Sequence, residues 1–187
     1  MDALLVSTLA VAVAEIGDKT QLLALLLAAR YRRPWAIMAG ILLATLLNHA
    51  LAAWFGAALS DWLPQGLLRV LVAASFVAVA LWTLRPDRLG EDERPQARGG
   101  AFAATAVAFF LAEIGDKTQV ATVLLAAKYD ALGPVIVGTT LGMLLANLPV
   151  VLLGARFADR LPLRAARLAA ALLFLLLAGW VAVRGIG

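Results

Sequence analysis

The chain has 187 residues, of which 63% are hydrophobic and only 28 charged (16 Lys or Arg, 12 Asp or Glu), with a net charge of +4 and a mean hydropathy of +0.91. This composition excludes a disordered chain and argues against a soluble globular domain. Cysteine is absent and histidine occurs once, so disulfide frameworks, thiolate metal sites and His-rich zinc sites are excluded, and ion chemistry must use oxygen and amine groups.

A spanning helix needs about 20 mostly apolar residues, and six segments meet or approach that length. The first, about 3–29, is N-terminal but has no basic n-region, since Asp2 is the only early charge, and it carries Glu15 and Asp18 where a signal peptide is apolar. It reads as a first membrane helix. The second, 35–58, holds Asn48 and His49, and the third covers 67–85. A polar stretch, 86–98, with Pro86, Pro95 and mixed charges, reads as a flexible linker. The fourth segment covers 101–127. The fifth, 133–155, holds Asn147, a Gly138-x-x-x-Gly142 close-packing face and Pro149, expected to kink it; the sixth covers 165–184. The predicted class is an all-α integral membrane protein with six transmembrane helices.

Orientation follows from the basic residues. With the N-terminus outside, the inner connections collect eleven Lys or Arg against three outside, and the positive-inside rule then puts both termini outside. Trp35, Trp54, Trp62, Trp82 and Trp180 fall near helix ends as interfacial anchors. The basic balance describes topology, and no nucleic-acid partner is expected.

Aligning each residue with the one 98 later exposes an internal repeat. The octet from Ala14 to Gln21, Ala-Glu-Ile-Gly-Asp-Lys-Thr-Gln, recurs unchanged from Ala112 to Gln119. Gly40 matches Gly138 and Gly56 matches Gly154, and His49 is aligned with Asn147. The predicted organisation is a three-helix repeat over 1–85, a cytoplasmic linker over 86–98 and a second repeat over 99–187. Because three is odd, the repeats are inverted relative to each other, an arrangement found in transporters whose substrate site lies near the midplane.

Glu15 and Glu113 fall at the centres of segments one and four. On continuous helices, Glu15, Asp18 and Gln21 form one stripe, as do Glu113, Asp116 and Gln119. Lys19 and Lys117, each four residues after its glutamate, are placed as charge compensation; each either neutralises its own glutamate or moves as the site fills. An intramembrane charge costs about 2.5 to 3.5 kcal/mol on insertion scales, too much for mere helix adhesion, and the default role is an ion or proton pathway. Glu15, Asp18, Glu113 and Asp116 are therefore the expected metal ligands. Such an all-oxygen set suits a hard divalent cation, and four carboxylates with two ammoniums leave the −2 that one such ion cancels. Protons compete for the same oxygens. Thr20, Gln21, Thr118 and Gln119 are secondary candidates, and Asn48, His49 and Asn147 are placed as partners of the carboxylates, with interhelical hydrogen bonding as their commoner use. Gly17 and Gly115 read either as helix breaks that free carbonyls or as sites of close packing, and packing is preferred.

The two Glu-Ile-Gly-Asp-Lys-Thr copies resemble the duplicated Glu-x-Gly-Asp-(Lys/Arg)-(Thr/Ser) signature of the small six-helix GDT-type cation/proton antiporters, whose bacterial branch includes the MneA-type manganese exporters. The resemblance covers essentially the whole chain. It implies that Glu15, Asp18, Glu113 and Asp116 are the cation ligands, with Thr20, Gln21, Thr118 and Gln119 close by, and it places Mn²⁺ ahead of Ca²⁺. The expected function is a secondary transporter in the cell inner (plasma) membrane that exports Mn²⁺ in exchange for protons. It is not an enzyme, and it needs no cofactor beyond the transported ion. A Ca²⁺/H⁺ antiporter and a divalent cation channel are the alternatives; an intramembrane protease and a non-transporting scaffold are the more distant ones, and a homo-oligomer stays open.

Overall fold

The computed structural model describes residues 2–86, 100–154 and 162–186, and these are all-helical. The predicted linker lies outside the described residues apart from Pro86, as do Arg88, Arg94, Arg98, Arg156 and Arg160, five of the basic residues on which orientation rests. Among the described residues eight helices follow in order: α1 (Asp2–Ala14), α2 (Lys19–Tyr31), α3 (Pro34–Trp62), α4 (Gln65–Thr83), α5 (Ala101–Glu113), α6 (Lys117–Tyr129), α7 (Leu132–Leu153) and α8 (Leu163–Arg184).

Four of them, α3, α4, α7 and α8, are long and apolar enough to cross a bilayer alone. The segments expected as continuous helices over 3–29 and 101–127 are instead two pairs of 13-residue helices, α1 with α2 and α5 with α6. Thirteen residues rise only about 20 Å, short of the roughly 30 Å hydrocarbon core, so each pair covers that depth only together. The order of one broken and two unbroken helices occurs twice, and the turn geometry recurs with it: α2 ends on Arg32 at φ 52° and α6 on Asp130 at φ 45°, 98 residues apart.

The pairs interlock across the molecule. α1 packs on α7, α5 on α3 and α4 on α8, while α3 also meets α6 and α7 near the middle. The expected Gly138/Gly142 face is what lets α7 approach α1: a Cβ at Gly138 would stand 2.6 Å from the Leu4 carbonyl oxygen, and one at Gly142 2.6 Å from that of Thr8. Gly40 plays the same part between α3 and α5, where a Cβ would meet the Phe102 carbonyl oxygen at 2.7 Å. Phe76 and Phe174 stack with ring centroids 6.2 Å apart and join α4 to α8. Pro149 lies inside α7, which continues to Leu153; lacking an N–H, it leaves the Leu145 carbonyl without its usual donor.

Polarity is arranged inside-out. Glu15, Asp18, Glu113, Asp116, Lys117 and His49 are buried, while leucines such as Leu9, Leu51, Leu145 and Leu176 and four of the five tryptophans, Trp35, Trp54, Trp62 and Trp180, are more than half exposed. An apolar outer surface of this extent is stable against lipid rather than water.

Replacing Gly142 with Leu should force α7 off α1 and cost about 1–3 kcal/mol. Thermal melting of the purified protein checks this, with Gly179→Leu as the control because nothing lies within 4 Å of a Cβ there; equal melting of the two variants would contradict the packing role.

Candidate cation site at two helix breaks

Each break is made by the same four residues. Gly17 at φ +80° and Gly115 at φ +74° lie in the left-handed region, which glycine enters without a Cβ penalty. The following aspartate is extended and caps the next helix: Asp18 Oδ2 accepts from the Thr20 N–H at 3.2 Å, and Asp116 Oδ2 from the Thr118 N–H at 3.4 Å. The glutamine three residues on reaches back, so that Gln21 Oε1 accepts from the Gly17 N–H at 2.9 Å and Gln119 Oε1 from the Gly115 N–H at 2.8 Å. Asp-x-x-Gln after a glycine is thus a variant of the capping box. This is a signal for the break that helical spacing alone misses; both glycines serve the break, and the expected close packing is present as well at Gly17, where a Cβ would meet Leu163 at 2.7 Å, and absent among the described residues at Gly115.

The break also changes what the stripe of acids means. Glu15 lies just past α1, with its N–H still bonded to the Val11 carbonyl at 2.9 Å, and Asp18 starts α2. They are not neighbours on one helical face. Instead the loop folds Glu15 back onto Thr20, whose hydroxyl donates to Glu15 Oε2 and lies 3.2 Å from Asp18 Oδ2. The partial positive ends of α2 and α6 face their capping aspartates.

Ligand atoms of Glu15, Asp18 and Asp116 lie within 4.8 Å of one another, and all three residues are buried. Two repeats thus contribute to one cluster. The fourth expected ligand, Glu113, is buried beside His49, with Nε2 3.5 Å from Oε2.

The lysines are placed differently from the spacing expectation. Lys117 pairs with Asp18, and Lys19 Nζ lies 3.9 Å from Asp116 Oδ1. The compensation therefore crosses between the repeats, because the backbone reversal at each glycine turns the lysine away from the glutamate four residues earlier. Of the secondary candidates, Thr20 touches two carboxylates and the Thr118 hydroxyl donates to Asp116 at 3.1 Å. Gln21 and Gln119 spend their carbonyl oxygens on the breaks, and Gln21 also donates to the Ala146 carbonyl at 3.0 Å. Asn48 joins α3 to α5 through the Phe110 carbonyl at 3.1 Å, and Asn147 donates to the Met143 carbonyl of its own helix at 3.0 Å. Of those three, His49 is the residue the structure sets against a carboxylate. A cavity of about 620 Å³ between the ends of α2 and α7 is lined by apolar side chains with Arg32 and Arg33 and includes none of the acids.

The sequence profile of a family described as "Divalent cation/proton antiporter GDT1" matches residues 3–91 and 101–187. The chain belongs to this GDT1 family. A Vibrio cholerae serotype O1 protein named "Putative manganese exporter" is 57% identical over 179 residues, covering 95% of this chain and 89% of the relative. A "GDT1-like protein" of Synechocystis sp. is 29% identical over 194 residues, covering 91% of each. No solved structure matches. Membership of the GDT1 family makes the chain a membrane transporter of the antiporter class, and the two profile matches each contain one of the two helix breaks.

Removing one partner of a buried pair leaves an uncompensated charge, at a cost of about 3–5 kcal/mol. Asp18→Asn should therefore be strongly destabilising, and adding Lys117→Gln should recover much of the loss. A double-mutant cycle by thermal melting is expected to show coupling for Asp18 with Lys117 and little for Glu113 with Lys117; the reverse order would restore the in-repeat pairing.

Proposed function

We propose that this chain is a six-span secondary transporter that exports Mn²⁺ from the cytoplasm in exchange for protons through the cluster at the two helix breaks. In this reading α1 with α2 forms the first span and α5 with α6 the fourth, the repeats are inverted, and both termini face outward from the inner membrane. One observation carries the proposal: carboxylates from both repeats, Glu15 and Asp18 from one and Asp116 from the other, converge on a buried point. Hard divalent cations take such oxygens, and the name of the Vibrio relative favours manganese.

Exchange follows from competition. The cluster holds three carboxylates with Lys19 and Lys117 against them, and Glu113 nearby brings the balance to −2. A divalent ion or protons satisfy the same oxygens, and each excludes the other. Lys117, already on Asp18, is a built-in counter-cation that an arriving metal ion must move aside. Glu15, Asp18, Glu113 and Asp116 are the ligands in this account, with Thr20 and Thr118 orienting them.

Alternation between the two sides is supported by unequal packing of equivalent parts. α8 packs against α1 and its Leu163 would meet a Cβ at Gly17 at 2.7 Å, whereas Gly115 has open space beside it and α4 packs against α6. Related repeats held in two different packings can exchange them, which is how inverted-repeat carriers open to one side and then the other.

Proteoliposomes loaded with Mn²⁺ test the proposal. An imposed pH gradient should drive Mn²⁺ flux in the native protein, and Glu15→Gln or Glu113→Gln should lower it to the level of empty vesicles. Full flux in both variants, or flux indifferent to the gradient, would overturn it.

A further inference from the structure

The repeats agree at every residue of the Ala-Glu-Ile-Gly-Asp-Lys-Thr-Gln octet, but not in what stands opposite the two glutamates. α3 packs on α5 and α7 on α1, and position 147 on α7 is the repeat counterpart of position 49 on α3. Position 147 is Asn and position 49 is His. Four buried polar atoms of this pair, His49 Nδ1 and Nε2 and both Glu113 carboxylate oxygens, make no hydrogen bond, although Nε2 stands only 3.5 Å from Oε2. Burying four such atoms unpaired is costly.

A shared metal ion is a partner that satisfies both groups. First-row divalent ions hold nitrogen and oxygen at about 2.1 Å, so adjacent ligands on one ion stand about 3 Å apart; closing 3.5 Å to that distance takes a side-chain adjustment of a few tenths of an ångström. A neutral imidazole adds a donor without adding charge, so it leaves the balance at the cluster as it is. It does change which ions are preferred. Ca²⁺ and Mg²⁺ take oxygen ligands, whereas nitrogen sites take first-row transition ions, among which Mn²⁺ binds most weakly and also accepts carboxylates; a single imidazole beside carboxylates is thus a mixed site that separates Mn²⁺ from Ca²⁺ and Mg²⁺.

We propose that His49 and Glu113 form a nitrogen-containing station for the transported ion beside the Glu15, Asp18 and Asp116 cluster, and that the His49 imidazole sets the preference for Mn²⁺ over Ca²⁺ and Mg²⁺. This deepens the transport reading and rests on it. The broken symmetry gives the division of labour: the oxygen cluster accepts any hard divalent ion, and the ion that also occupies the His49 station is the one that fits a nitrogen. Asn147 in the equivalent place offers only a carbonyl oxygen, Oδ1, which is also buried and unbonded.

The single histidine makes the test direct. Full-length protein purified without a histidine tag is loaded with Mn²⁺ and examined by pulsed electron paramagnetic resonance. Nitrogen modulation of the Mn²⁺ echo is expected, and labelling histidine alone with ¹⁵N should convert its pattern. Bound Mn²⁺ with no histidine nitrogen signal overturns the station while leaving carboxylate-based transport intact; absence of any proton-driven Mn²⁺ flux in the same preparation overturns the transport reading instead. In flux competition, His49→Asn, which copies the residue of the other repeat, should weaken Mn²⁺ about tenfold or more relative to Ca²⁺, the scale on which loss of a group in a metal site is felt. Unchanged Mn²⁺ preference in an active His49→Asn protein would contradict the specificity role, and the native-protein spectrum stands whether or not that variant folds.

Discussion

Gly17 and Gly115 hold the backbone at φ +80° and +74°, and almost everything else about the site follows from those two reversals. A continuous helix through the octet would keep its carbonyls bonded, set Lys19 over Glu15 and leave each repeat electrically self-contained. The reversal ends α1 and α5, turns the aspartates into caps, and swings each lysine toward the other repeat. Substituting any residue with a Cβ here meets strain from the backbone itself. At Gly17 it also meets Leu163, and at Gly115 it meets nothing.

Cross-pairing of charge ties the site to the relation between the repeats. Lys117 on Asp18 and Lys19 near Asp116 mean that each half lends charge to the other's acids; in the proposed transport cycle, occupancy of the site and the docking of the halves are then one equilibrium. In that proposal, an ion entering the Glu15, Asp18 and Asp116 cluster would alter the contacts by which the halves hold each other. That is the differential interaction a ligand needs to shift a conformational equilibrium. The unequal seating of Leu163 at Gly17 and open space at Gly115 is the structural counterpart of that coupling.

Much of this was legible before any coordinates. The apolar segments, the exact recurrence of the octet 98 residues on, and the midplane acids all follow from composition and spacing. The Gly138/Gly142 face was legible too, because small residues at that spacing have one common use. What failed was the arithmetic of helical faces, which presumes the helix it is measuring. Gly followed by Asp-x-x-Gln carried the contrary signal, masked by the long apolar runs on either side. The partners of Lys19, Lys117 and Glu113 were beyond reach for another reason: they depend on which helices pack together, and nothing in the local sequence states that α3 lies on α5. His49 was legible as a candidate partner of the carboxylates, but only that packing shows that the one it meets is Glu113.

The central claim is that one cation sits where the two breaks meet, held by both repeats at once. Anomalous scattering at the manganese edge from crystals of the Mn²⁺-bound protein tests it most directly. The account predicts a manganese peak between Glu15, Asp18 and Asp116, with ligands from both sides of the repeat boundary. A peak held by residues of one repeat alone, or one on the surface away from the breaks, would contradict it.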